Sequence, residues 1–257
     1  MKTLLKRDKV ILVQEIANNC WPAKEYFFLN GWILRFTDGA TSRANSVLLL
    51  YYFGSHLEED ISLVEKTYQI HNLPTKFMLH DYYAPSELKS KLMTLNYQID
   101  PIVDIMGNKI DNLHQISSSK EYNYINYTDK PKEWSEAFIR LETNRSFEEK
   151  RGILGIMDRI IFPKKEYFAA TTGNRIVGIV LGVVERHYLG IMDLIVDPNY
   201  RRQGIATSLL NMVVEWAREC GCNHIFLQVV RENHSAVSLY RKMNFKRLYS
   251  YFYMTKE

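Results

Sequence analysis

Two adjacent arginines, a glycine, a small residue and a hydroxyl stand together in Arg201-Arg202-Gln203-Gly204-Ile205-Ala206-Thr207. From Ala206 the apolar residues fall at 206, 209, 210, 213, 216 and 217, the spacing of one helix face. The stretch therefore reads as the mouth of a helix. Such a mouth presents N–H groups with no carbonyl one turn back and a partial positive charge, and both suit phosphate. Gly204 and Ala206 leave the backbone bare, while Arg201 and Arg202 bring guanidinium forks that match phosphate oxygens. This makes a candidate pyrophosphate cradle; a strand-to-helix turn with solvated arginines is the alternative. It lacks the Gly-Lys-Ser/Thr of a P-loop and the G-x-G-x-x-G of a dinucleotide-binding turn.

The elements that must hold this loop are legible around it. Residues 166–196 hold three strand-like runs, split by Thr172-Gly173-Asn174 and by Glu185-Arg186-His187. Gly221 closes the helix in a left-handed cap position. "HIFLQVV" (224–230) reads as a buried strand, 235–245 as a short helix and 247–255 as a last strand. Residues 132–162 predict one or two helices, broken near Asn144 to Ser146 or at Gly152. The N-terminal part begins with a strand meander turning at Asn30-Gly31 and Asp38-Gly39. Its polar run "GATSRANSV" (39–47) reads as a strand whose Arg43, Asn45 and Ser46 face either solvent or a groove between the halves. A helix (61–71), a strand (75–80), a helix (86–95) and a strand (97–106) follow, and 107–123 is polar enough for a linker.

Adding 148 to the N-terminal numbers superposes the two halves without a gap. Ile61, Val64 and Tyr68 land on Leu209, Met212 and Trp216, and Phe77-Met78-Leu79 on Ile225-Phe226-Leu227. The simplest account is two copies of one α/β unit. The copies differ at the cradle: Arg202 to Thr207 align with Gly54-Ser55-His56-Leu57-Glu58-Glu59, which has acids and no arginine.

Arg201-x-x-Gly204-x-Ala206 after an apolar strand resembles the acetyl-CoA signature of the GNAT acetyltransferase superfamily. Asn233-His-Ser-Ala236-Val-Ser-Leu239-Tyr240-Arg-Lys-Met-Asn244-Phe245 resembles that family's second motif, with Asn244 in place of the usual glycine. The resemblance is strong over about 166–257 and fair back to about 122. The chain as a whole is similar to the tandem type, a degenerate GNAT-like half (1–115) before an intact one (122–257). It implies an α/β fold with a mixed central sheet in each half. It also implies that the backbone of Leu194, Ile195 and Val196 pairs with the pantetheine arm of acetyl-CoA. Arg201, Arg202, Gln203, Gly204, Ile205, Ala206 and Thr207 would wrap the pyrophosphate and Asn233 would hydrogen-bond the pantetheine. Tyr240 would act as general acid on the leaving sulfur.

Direct attack of an amine needs a proton acceptor. Where the family often has a glutamate on a splayed strand, "FLQVV" has Gln228. Asp193, a lone carboxylate in the apolar run 191–196, is the next candidate. Glu185, His187 and an ordered water are further ones, and Asp193 could instead bond a neighbouring loop.

Composition bounds the rest. The chain has 257 residues, 46% of them apolar, which suffices for a real core. A net charge of +4 with no clustered lysines suits a small anionic ligand better than nucleic acid. No run is long enough to span a membrane. The three cysteines, Cys20, Cys220 and Cys222, lack the partner pair of a zinc site, so no metal is expected. The reading is a cytoplasmic N-acetyltransferase using acetyl-CoA on a small-molecule or peptide amine. The N-terminal half would shape the acceptor site or a homodimer. A non-catalytic acyl-CoA-binding or sensing protein is the alternative.

Overall fold

The computed structural model describes residues 6–116, 121–161 and 164–257. The N-terminal half runs α1 (Lys6–Asn19), β1 (Glu25–Leu29), β2 (Trp32–Phe36), β3 (Val47–Leu49), α2 (Leu57–Ile70), β4 (Thr75–His80), α3 (Leu88–Thr94), β5 (Gln98–Ile99) and β6 (Val103–Lys109). The C-terminal half runs β7 (Asn123–Tyr127), α4 (Lys132–Leu141), α5 (Phe147–Arg159), β8 (Lys164–Thr172), β9 (Arg175–Glu185) and β10 (Tyr188–Val196). It continues with α6 (Ile205–Glu219), β11 (His224–Val230), α7 (His234–Lys242) and β12 (Lys246–Lys256).

Local chemistry explains most boundaries. Asn30 and Gly31 both take positive φ, 47° and 89°, and close the β1–β2 hairpin. Ser146 caps α5 with a full capping box: its side chain accepts from Glu149 N, and the Glu149 carboxylate accepts from Ser146 N. The break between α4 and α5 therefore falls at 142–146, and Gly152 lies within α5. Pro101, which has no N–H to donate, falls in the gap between β5 and β6.

Two expectations need correction, and one element is added. The run at 39–47 is a short 3-10 turn over Ser42–Ala44, because Thr41 caps it and Asn45 folds back on it. Asn45 Oδ1 accepts from Thr37 N at 2.6 Å and Gly39 N at 3.3 Å. The polar stretch from 107 begins as the end of β6, and part of the expected linker, 117–120, lies outside the described residues. The amphipathic α1, which buries Val10, Ile11, Val13, Ile16 and Ala17, was not anticipated.

The strands form one twelve-stranded mixed sheet in the order β1-β2-β3-β4-β12-β6-β11-β10-β9-β8-β7, with β5 beside β12. The centre of this order is an exchange. β12, from the C-terminal half, lies between β4 and β6 of the N-terminal half. β6 lies between β12 and β11 of the C-terminal half. Each half thus completes its sheet with the other's last strand. Gly107 sits in this seam: a Cβ there would come 2.2 Å from the Ile225 carbonyl oxygen, so only glycine lets β6 lie this close to β11.

Alternate residues on the central strands divide the core. Ile105, Phe226, Tyr249, Tyr251 and Tyr253 join a single cluster with α1, α4 and α5, running across both halves. On the opposite face, α6 and α7 cover a cluster with Leu227 and Val229, and α2 and α3 cover another with Phe77 and Leu79. One face of the sheet is therefore shared, and the other is divided between two helix pairs.

Candidate active site

The repeat holds where it was read. Leu57 opens α2 and Ile205 opens α6, 148 residues apart, and β4 and α3 map onto β11 and α7 with the same offset. It fails just upstream. Leu48 of β3 pairs with Met78, and Gly190 of β10 pairs with the equivalent Phe226. From Leu48 to Leu57 the chain takes nine steps; from Gly190 to Ile205 it takes fifteen. The C-terminal half has six more residues between strand and helix mouth, and most of the residues expected at the site lie in that longer path.

β10 uses the extra length to bulge and splay. It pairs in parallel with β11 from Tyr188 to Ile191 and then leaves it, while pairing with β9 breaks register between Met192 and Ile195. Asp193 lies in the bulge with φ at 47°. Bulges of this kind re-aim a side chain. Leu194, Ile195 and Val196 continue past the end of the β11 ladder, leaving that edge of β10 unpaired by a strand, although the Val196 carbonyl accepts from Arg201 Nε at 3.3 Å.

The cradle follows. Asp197 accepts from Asn199 N at 3.1 Å and from Arg175 and Arg140 at 3.1 and 3.4 Å, fixing the start of the loop. Arg202 and Gly204 both take left-handed backbone, φ 64° and 83°, on either side of Gln203. Gly204 is the N-cap of α6, and Ser208 N bonds back to its carbonyl at 3.0 Å. The N–H groups of Ile205, Ala206 and Thr207 stand in the helix's first turn, aimed outward. Arg201, Arg202 and Gln203 are exposed, whereas the side chains of Ile205 and Thr207 are buried. Those two can offer a ligand only their backbone. Tyr122, which sequence reasoning passed over, donates its hydroxyl to Gln203 Oε1 and packs edge-on to Tyr200.

On the other wall, Asn233 caps α7, its Oδ1 accepting from Ala236 N at 3.3 Å. Its amide N–H groups are left to donate. Tyr240 is buried against Phe245, with ring centroids 5.8 Å apart, and burial pushes its hydroxyl pKa up to about 12. It is therefore protonated at any physiological pH.

Asp193 keeps some exposure as a residue, but its Oδ2 is enclosed and has no hydrogen-bond partner among the described residues. Burial pushes its carboxyl above the usual carboxylate range; Arg43 and Arg145 pull it back, and Glu142 adds to the rise. Gln228 accepts from Tyr251 at 2.7 Å and is part of the central strand packing. Glu185 is engaged at the hairpin by Asn19 and Arg186. Of the groove residues expected from 39–47, Arg43 does cross to the other half: its Nη1 lies 3.4 Å from Met192 Sδ. Asn45 and Ser46 instead serve the local fold.

The equivalent mouth in the N-terminal half is built otherwise. Glu58, Glu59 and Asp60 fill the first turn of α2. Asp60 accepts from Asn30 Nδ2 and, at 2.8 Å, from the Tyr52 hydroxyl, and Glu58 pairs with Lys91 of α3.

Comparison with known proteins fits this geometry. Residues 124–245 match the model of the acetyltransferase (GNAT) family. Over 97% of its length the chain is 28% identical to 99% of the uncharacterized N-acetyltransferase YobR of Bacillus subtilis. A GCN5-related N-acetyltransferase from Kribbella flavida has the same fold, with a TM-score of 0.73 over 100% of this chain and 96% of that one at 10% identity. A tandem GNAT protein from the clavulanic acid biosynthesis pathway matches with a TM-score of 0.62 at 11% identity, over 78% of this chain and 69% of its own.

Proposed function

Because residues 124–245 match the model of the acetyltransferase (GNAT) family, we propose that the chain moves an acetyl group from acetyl-CoA to a primary amine by direct attack in a ternary complex. One observation carries the reading: six added residues put an unpartnered buried carboxylate, an open strand edge and a left-handed helix mouth in sequence along one path.

Each group then has a task. The outward N–H groups at Gly204 to Thr207 and the guanidinium groups of Arg201 and Arg202 hold the pyrophosphate. The backbone of Leu194 to Val196 and the Asn233 amide align the pantetheine arm. Acetyl-CoA supplies the activated acyl carbon. Asp193 Oδ2 takes the proton that the amine nitrogen sheds as the N–C bond forms and the C–S bond breaks. Tyr240 donates its hydroxyl proton to the departing sulfur and is reprotonated from solvent. A raised carboxyl pKa suits a base that must take a proton from an ammonium or amine. The N-terminal half acts as a structural partner that contributes strand β6 and the Arg43 side chain.

The direct test is consumption of acetyl-CoA across a panel of primary amines, with Arg202→Glu alongside in an acetyl-CoA titration. Turnover with at least one amine and weakened acetyl-CoA binding by the variant are expected. Unchanged binding by Arg202→Glu would falsify the cradle assignment. Tight acetyl-CoA binding with no turnover on any amine would favour a sensing protein.

A further inference from the structure

On the shared face of the sheet, Arg43 of the N-terminal half lies against Met192, the residue before Asp193, and makes no ion pair with that carboxylate among the described residues. Arg43 comes from the N-terminal half, with its guanidinium carbon 4.4 Å from the centre of the Trp21 ring and its Nη1 3.4 Å from Met192 Sδ. It acts electrostatically on Asp193, the next residue along β10, yet the two make no ion pair. Arg35, a second guanidinium on this face, is fully enclosed. Neutral oxygens hold it: the Ser46 carbonyl at 3.1 Å, Ser46 Oγ at 2.8 Å and Asn18 Oδ1 at 3.4 Å. Among the described residues, no carboxylate pairs with Arg35 or Arg43. Trp21 is 1% exposed, and its indole N–H has no hydrogen-bond partner among the described residues.

Enclosing an unpaired charge or an unused donor costs free energy, and the cost is recovered when a partner arrives. Here the unpaired groups differ in sign: a carboxylate oxygen at one end, and a guanidinium and an indole donor at the other. A simple cationic amine would satisfy Asp193 and meet like charge at Arg43. A ligand bearing both signs satisfies both ends. The face is roofed by α1, α4 and α5, which favours a small acceptor over a folded protein.

We propose that the acceptor is a small zwitterionic amine of the free amino acid type, its carboxylate held by Arg43 and its amino group presented to Asp193. This rests on the acetyl-transfer reading above. Arg43 is then a specificity-determining residue supplied by the half that lacks a cradle.

The test reads binding and transfer separately. Isothermal titration of the full chain, with coenzyme A present, compares L-amino acids with their carboxamides, which keep the amine and lose the negative charge. At least one acid should bind about tenfold or more tightly than its amide, the range for a hydrogen bond to a charged group. Arg43→Gln should abolish that difference and Arg43→Lys should keep part of it, both with unchanged acetyl-CoA affinity, which also certifies folding. Equal binding of acids and amides, no binding of any acid, or equal weakening of both by Arg43→Gln overturns the proposal. Acetyl transfer to plain amines without preference for acids also overturns it and leaves the transfer reading standing. Discriminating binding with no transfer supports the site and sinks the transfer reading instead.

Discussion

The mouths of α2 and α6 occupy equivalent places in the two halves and are finished in opposite ways. At α2 the first turn carries three carboxylates, and its Glu58 reaches Lys91 on α3. At α6 the first turn has no acid, and Ala206 and Leu239 stand at the positions equivalent to that ion pair. The α2 mouth satisfies its own dipole, a contribution of about 0.3–1 kcal/mol per well-placed acid. The α6 mouth leaves its N–H groups and two arginines for something else. On the proposed reading, the site at α6 is made as much by withholding local partners as by adding charge. The loops differ in the same sense: the six extra residues before α6 carry the bulge, while the shorter N-terminal path ends with Asp60 tied to Asn30 and Tyr52.

The hardest blow to this contrast should fall at Asp193. Asp193→Asn suits the left-handed backbone and removes the proton acceptor, so kcat should drop by about 10²–10⁴ with acetyl-CoA affinity unchanged. Its folded-state pKa is raised, so its favourable contribution is present below the unfolded pKa and is lost as pH rises through the folded value. The ionised group therefore burdens the fold at neutral pH. The Asn variant should melt higher than the parent at pH 7, with the gain vanishing in acid; a lower melting temperature at pH 7 contradicts this assignment. For the same reason the parent's kcat should fall as pH drops through that raised pKa.

Next comes the cradle. Arg202→Glu should weaken acetyl-CoA binding by about ten- to a hundredfold, and titration of the parent should give one site per chain. Two sites would break the contrast between the mouths outright. Tyr240→Phe should cost about tenfold or more in kcat with little change in acetyl-CoA KM, and equal rates would remove its role as acid. The gentlest change is Asp60→Ala. It leaves the Tyr52 and Asn30 donors unpaired, so thermal unfolding should show a loss of about 1–3 kcal/mol while kcat holds. A fall in acetyl-CoA affinity would instead mean that the two mouths are coupled.

Much of this was legible along the chain because it is written locally. The helix from 205 follows from its apolar spacing, the β1–β2 turn from Asn30-Gly31, and the left-handed start of α6 from Gly204. The 148-residue offset holds from α2 through α3 because no insertion falls there. The added stretch lies just upstream, and a gapless comparison passes over it; strand pairing at Leu48 and Gly190 reveals it. Arg43 stands out in the sequence as a charge in a strand-like run, but Thr41 and Asn45 close a 3-10 turn there that strand propensity does not register. Which strand lies beside β6 or β12 is set by contacts between residues far apart in the chain, which local spacing does not record.

That pairing has a consequence for how the chain is made. A ribosome that has released the first 115 residues has delivered β4 and β6 but not the strand that lies between them. Contacts at the middle of the sheet join residues such as Leu79 and Phe252, which are far apart in the chain, so closing it waits until β12 has been made. Until then β4 presents an open edge where the finished molecule has its centre, and the two halves mature as a pair.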